Sequence, residues 1–189
     1  EFSHSGHPKA RTQHTDGAAR RVRRQLALAR RRHLILGSAR PNTGICATWE
    51  QLMTAVISPH TAIIYLMVTA SAADGDMTDG ELRLIGTIVR SLPVFRGFNE
   101  EQLVRVSQEC AAIMSERDGL QTIIGLARQA LPDRLRETAF ACAVEVAAAD
   151  DRINQEELRV LELIRSGLHV DRLAAAAIER AAAARHAHI

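Results

Sequence analysis

Two stretches of this chain say the same thing 76 positions apart. Residues 70–88 and 146–164 each leave an alanine-rich apolar run, reach an aspartate (Asp74, Asp150), and place an apolar residue three positions on (Met77, Ile153). Each then offers a small polar residue with glutamate three positions later: Thr78 with Glu81, Asn154 with Glu157. Leu82 and Arg83 correspond to Leu158 and Arg159. The Ser/Thr-x-x-Glu spacing is that of a capping box, in which the first side chain accepts from the glutamate N–H while the glutamate reaches back; Asn154 with Glu157 is its close variant. Each copy therefore specifies a buried helix, a tight acidic junction and a second helix whose start is set by side chains. Such a chain is expected to be all-α, with two pseudo-symmetric helix–loop–helix halves, 60–92 and 136–168, and the two apolar helices packed together at the centre.

The remaining punctuation yields about seven helices. Ser58 and Pro59 are an N-cap and a first helical residue, opening a run to Ala73 that is apolar nearly all round, as central helices are. A second helix follows Thr78, with Leu82, Leu84, Ile85, Ile88, Val89 and Leu92 at helical spacing, and Pro93 ends it. Asn99 is read as the cap of a third, with Leu103, Val106, Cys110 and Ile113 on one face, and Asp118 as the cap of a fourth. Pro132 separates a fifth, 133–149, whose second half is again apolar apart from Glu145. A sixth spans about 155–168, and a seventh, rich in alanine, about 171–184. Aromatic residues are only 3% of the chain, which favours helix over strand. Nothing between Met53 and His186 reads as strand, and connections this short imply a bundle or orthogonal α-domain.

No apolar run reaches the roughly 18 residues of a membrane span. Cys46, Cys110 and Cys142 are odd in number and widely spaced, so they outline neither a disulfide framework nor a metal-binding pair. A reducing compartment is the simplest reading, with Cys110 and Cys142 as small core residues.

The formal charge of +2 hides a division. Residues 1–52 carry ten of the 24 basic side chains and three of the 22 acids, a net +7, which leaves −5 for 53–189. Residues 1–17 have almost nothing to bury and read as disordered, and 18–36 read as a basic helix, with Arg20, Arg21, Arg23, Arg24, Arg30, Arg31 and Arg32 around Leu26, Leu28, Leu34 and Ile35. Such an arm can bind nucleic acid, direct import into an organelle, or lie on an anionic membrane. It can also be sequence foreign to the protein, ahead of a start at Met53, with Glu1 and Phe2 as a cloning scar. The breaker cluster Arg40 to Gly44, and helical patterning that becomes regular only after Met53, favour this last reading. The expected organisation is a basic tail, 1–52, disordered or non-native, and one domain, 53–189. Nucleic acid is expected as a partner only if the tail is native.

On Ala72, Ala73, Asp74, Gly75, Asp76, Met77 and Glu81, and again on Ala147, Ala148, Ala149, Asp150, Ile153 and Glu157, the chain resembles the TerB-like family of tellurite-resistance and stress-associated proteins. The resemblance covers about 58–185. It implies an all-helical fold with acidic loop surfaces and a cytoplasmic protein. It also implies links to tellurite tolerance, oxidative or metal stress and divalent-cation binding, partners within a stress-response system, and no enzymatic reaction. One departure matters: the second copy has Asp151 and Arg152 where the first has Gly75 and Asp76, and a guanidinium there repels a cation.

Asp74, Asp76, Asp79 and Glu81 put four carboxylates into eight residues, the clustered oxygens that hard cations such as Ca²⁺ take. The spacing is not an EF-hand: counting from Asp74, the fifth position is Thr78 and the twelfth is Ile85, which has no carboxylate. Asp150, Asp151 and Glu157 form the corresponding set in the second copy, weakened by Arg152. The competing reading needs no metal: Asp74 stops a helix, Glu81 completes a capping box, and Asp76 and Asp79 are solvated. Glu145 either meets solvent at an edge or pairs with an arginine, because a buried ionised carboxylate needs partners, or else it serves as a ligand or supporting carboxylate near the loops. Catalytic constellations are missing from the pattern. His60 and His169 lack ligand spacing, with His60 read as a first-turn surface residue and His169 as a loop residue. Neither Cys110 nor Cys142 neighbours a histidine in sequence, and no phosphate-cradling glycine loop occurs. Gly119 and Gly125 are read as helix-start or packing positions. The expected function is that of a non-enzymatic TerB-like stress protein with an acidic cation site. The alternatives are a helical scaffold that binds partner proteins without metal, and a nucleic-acid or membrane binder acting through the arm.

Because little of the tail can be buried cooperatively, deleting residues 1–52 is expected to leave the thermal unfolding midpoint nearly unchanged. A large drop in a melting experiment would show that the tail packs on the domain.

Overall fold

In a computed structural model, residues 57–73, 79–149 and 154–187 are described. The basic tail and most of both acidic loops lie outside them. The described residues form seven α-helices: α1 (Pro59–Ser71), α2 (Asp79–Ser91), α3 (Leu103–Met114), α4 (Gly119–Ala130), α5 (Asp133–Ala147), α6 (Gln155–Leu168) and α7 (Arg172–Arg185). Short 3₁₀ turns, Pro93–Phe95 and Glu100–Gln102, bridge α2 to α3. Among the described residues there is no strand, and no helix is long and apolar enough to cross a membrane.

α1 forms where expected. The Ser58 hydroxyl accepts the Thr61 N–H at 3.1 Å and Pro59 supplies the first helical φ. Every residue from Ala62 to Ser71 is buried. A helix with no polar side must be enclosed by other helices, and α1 packs against α2, α3, α4, α5 and α6. Its most extensive interface is with α5, whose Ala139, Phe140, Ala143, Val144 and Ala147 are also buried. Small residues along α5 let the two axes approach, while Ile63, Ile64, Leu66 and Met67 provide the bulk, each worth roughly 1.5–3 kcal/mol on full burial.

The helix boundaries recur at the repeat offset. α1 ends at Ser71 and α5 at Ala147, while α2 begins at Asp79 and α6 at Gln155. Each central helix touches both its own partner and the other's: α1 meets α2 and α6, α5 meets α6 and α2.

Several local expectations need correction. α1 and α5 each stop two residues before the end of the apolar run. Asn99 caps a 3₁₀ turn rather than α3 itself, with its side-chain oxygen 3.0 Å from the Glu101 N–H. Asp118 sits at the N-cap of α4 without a side-chain capping bond. What fixes that corner is Gly119: a Cβ there would fall 2.2 Å from the Ile113 carbonyl oxygen and 2.7 Å from Met114 Cα. Leu92 faces solvent at 37% exposure instead of joining the core.

Gly119→Ala is expected to destabilise the fold by about 1–3 kcal/mol, since the added methyl meets backbone that cannot step aside. Gly125, inside the same helix, has nothing within 4 Å of a built Cβ. Gly125→Ala should stabilise by about 0.5–1 kcal/mol through helix propensity alone. Denaturant midpoints of the two variants should move in opposite directions.

Candidate functional site

Two helix starts carry the acidic junctions. At the second, Asn154 has extended backbone and its side-chain oxygen accepts the Glu157 N–H at 2.8 Å. The Asn154 N–H in turn donates to Glu157 Oε2 at 2.8 Å. The capping box read from the sequence is complete. Glu157 is only 6% exposed, so this carboxylate is enclosed and its hydrogen bonds matter to the fold. Its counterpart Glu81, on the first turn of α2, is 4% exposed. Asp79, the first residue of α2, is half-buried. Asp79, Glu81 and Glu157 all have partners. Both helix starts place carboxylates near free backbone N–H groups, where the helix dipole favours them.

Asp74, Asp76 and Thr78 in the first junction, and Asp150, Asp151 and Arg152 in the second, lie outside the described residues. Among the described residues, no three His, Cys, Asp or Glu side chains come together in a way that could hold a metal ion. The structure thus makes Glu81 and Glu157 each the buried third residue of its helix and leaves Asp79 half-buried at the start of α2.

Glu145 has the arginine partner that its position called for, and a histidine as well. It projects from α5 onto the end of α7, where Oε2 accepts the Arg185 Nε–H at 3.1 Å and also pairs with Nη2 of the same guanidinium. Oε1 lies 3.1 Å from His186 Nε2. Desolvation pushes the Glu145 carboxyl up, but hydrogen bonds and charge from Arg185 and His186 together outweigh it and hold the group below its usual range. A carboxylate depressed in the folded state stabilises the fold fully above its unfolded value, and that contribution is lost as pH falls through the folded one. The pairing therefore persists at neutral pH and weakens only in acid.

Neither described cysteine is poised for chemistry. Burial pushes the thiols of Cys110 and Cys142 up to about 12, so both are protonated at neutral pH. Cys110 lies 3.7 Å from Thr69 Oγ1 and donates to the Tyr65 carbonyl at 3.5 Å, joining α3 to α1. His60 is not a free surface residue. It is half-buried, with its ring 6.0 Å from Phe95 and 5.8 Å from Phe98, in a three-ring cluster that anchors the α2–α3 connection to the start of α1. Short-range pattern could not reveal that contact, because its members come from segments more than thirty positions apart.

These features define a class: an all-α domain in which a largely buried helix is twice followed, after a short acidic stretch of sequence, by a helix with an enclosed glutamate in its first turn. The family described as tellurite resistance protein TerB matches residues 60–180, from the start of α1 into α7, and the chain belongs to that family. No curated protein and no solved structure gives a significant match.

Removing the Asn154 cap should cost about 1 kcal/mol in Asn154→Ala. Glu157→Gln should cost less, because an amide oxygen still accepts the Asn154 N–H. Equilibrium unfolding of both variants checks the order; a Glu157→Gln loss larger than that of Asn154→Ala would mean that the carboxylate charge does more than cap.

Proposed function

We propose that this protein is a non-enzymatic, cytoplasmic TerB-family member that serves tellurite and related stress tolerance by working with partner proteins, and that its first junction takes up a divalent cation such as Ca²⁺. The observation that carries the cation reading is the concentration of Asp74, Asp76, Asp79 and Glu81 at one helix start inside the family match. Hard oxygen donors on a short loop repel one another, and a divalent cation relieves that repulsion while waters complete its shell. Asp79, half-buried at the first position of α2, suits the rim of such a site, while Glu81 is the enclosed member. The second junction fits less well. Glu157 already gives one oxygen to its own cap, and Arg152 stands in that loop, leaving Asp150 and Asp151 as its best donors.

A second reading is a helical interaction module without metal, in which the junction acids only punctuate helices. The complete Asn154–Glu157 capping box favours it, because it gives one of the two buried glutamates a purely structural role.

Thermal melts and calorimetric titration with Ca²⁺, Mg²⁺ and Zn²⁺ separate the two. Without EF-hand geometry, affinity should lie near the weak end of the roughly 10⁻⁹ to 10⁻³ M range of calcium sites. A cation bound only by the folded state raises the midpoint as its concentration rises. Asp76→Asn is expected to remove that gain with little effect on cation-free stability, and Glu81→Gln to reduce it more mildly. Melting curves that stay unmoved in millimolar cation would leave the metal-free module as the correct reading.

A further inference from the structure

The C-terminal helix is held differently from the others. α1 is buried continuously from Ala62 to Ser71, whereas α7 fully buries only Ala175 and Ala182, with Ala174 and Ile178 half-buried. Alanine methyls contribute little burial each, about 0.8 kcal/mol per methylene-sized group, so the apolar seam under α7 is thin. Leu173, its largest aliphatic side chain near the start, is 80% exposed. Polar bonds tie its far end to α5, while its start is capped within the helix itself. At the start, Asp171 Oδ1 accepts the N–H groups of Leu173 and Ala174 at 2.8 and 3.2 Å, next to Val170, which is sunk in the core. At the other end, Arg185 and His186 close on Glu145.

The connection before α7 is a tight turn that closes α6 with a left-handed cap. His169 ends α6 with φ of 56°, the only positive φ at a non-glycine position among the described residues. α5 ends two residues after Glu145. α7 packs along α5, and the buried Cys142 lies one helical turn before Glu145 on α5.

We propose that α7 is a strap that opens independently of the rest of the domain, pivoting at His169–Asp171 and latched by the bonds of Glu145 to Arg185 and His186. Local opening of this kind is expected where few apolar contacts and solvent-accessible polar bonds secure a terminal element. The latch joins a half-buried carboxylate to an exposed guanidinium, so it is strong enough to keep the helix closed and exposed enough to break without unfolding the core. Opening uncovers the α5 face around Cys142, while Cys110, between α1 and α3, stays enclosed.

Hydrogen exchange of the full chain at neutral pH tests this, comparing the parent with Glu145→Gln and with Arg185→Ala, the latter altering only an exposed side chain. Amides of 176–185 should exchange roughly tenfold faster in both variants, the loss expected for a charge-assisted pair at a partly exposed site, with α1 and α5 amides unchanged. In a Cys46→Ser background, reaction of Cys142 with a thiol reagent should accelerate in step, with Cys110 unaffected. The proposal is overturned if α7 in the parent exchanges only as slowly as α1, if the variants speed all helices equally, or if neither variant changes α7.

Discussion

A helix that is apolar on every side cannot lie on a surface, and α1 is such a helix. Its requirement for complete enclosure arranges everything else: α5 covers it most extensively, and α2, α3, α4 and α6 close the remaining sides. Each of those helices needs one apolar stripe toward α1 and can be polar elsewhere, which is the pattern of α2, where Ile85, Ile88 and Val89 are buried while Arg83, Thr87 and Arg90 face water. α7 takes little part in this enclosure. It leans on α5, and its hold on the domain is accordingly thin.

The junctions answer a second constraint. A central helix must end, and its chain must turn into the next helix without leaving orphaned backbone groups in the interior. In the second junction, Asn154 and Glu157 meet that need reciprocally. The cost is an enclosed carboxylate at each helix start, Glu81 and Glu157, close to further acids in the adjoining loops. The feature that makes the turn possible thus also concentrates negative charge where the sequence repeats itself.

Much of this was legible in the sequence because it is local. Ser58 with Pro59, the Asn154–Glu157 spacing and the limits of α6 are set by residues within one turn of one another, and the reading and the structure agree there. The resemblance to the family was legible for the same reason, since the residues that carry it in this chain form a contiguous junction that occurs twice. What escaped is non-local. His60 acquires its role from Phe95 and Phe98, Leu92 loses its expected place because the chain turns at Pro93, and Glu145 finds partners forty positions away. Gly167 is another such case: a Cβ there would fall 2.1 Å from Ile124 Cγ2, so its small size matters only because α6 lies close on α4. The site was partly legible: Glu81 and Glu157 could be placed at helix starts from spacing, but their degree of enclosure depends on the packing of all the helices around them.

The position of α1 along the chain has a consequence for how the protein is made. The hub is the first of the described helices to be synthesised, and its main cover, α5, ends 76 residues later. At typical elongation rates of about 5–20 residues per second, a helix without a polar face waits on the order of ten seconds for its principal partner. In that interval it is a nascent segment with every incentive to stick to something else, so yield in the cell should depend on ribosome-associated holdases and on translation speed through α2 to α5 far more than the stability of the finished fold would suggest.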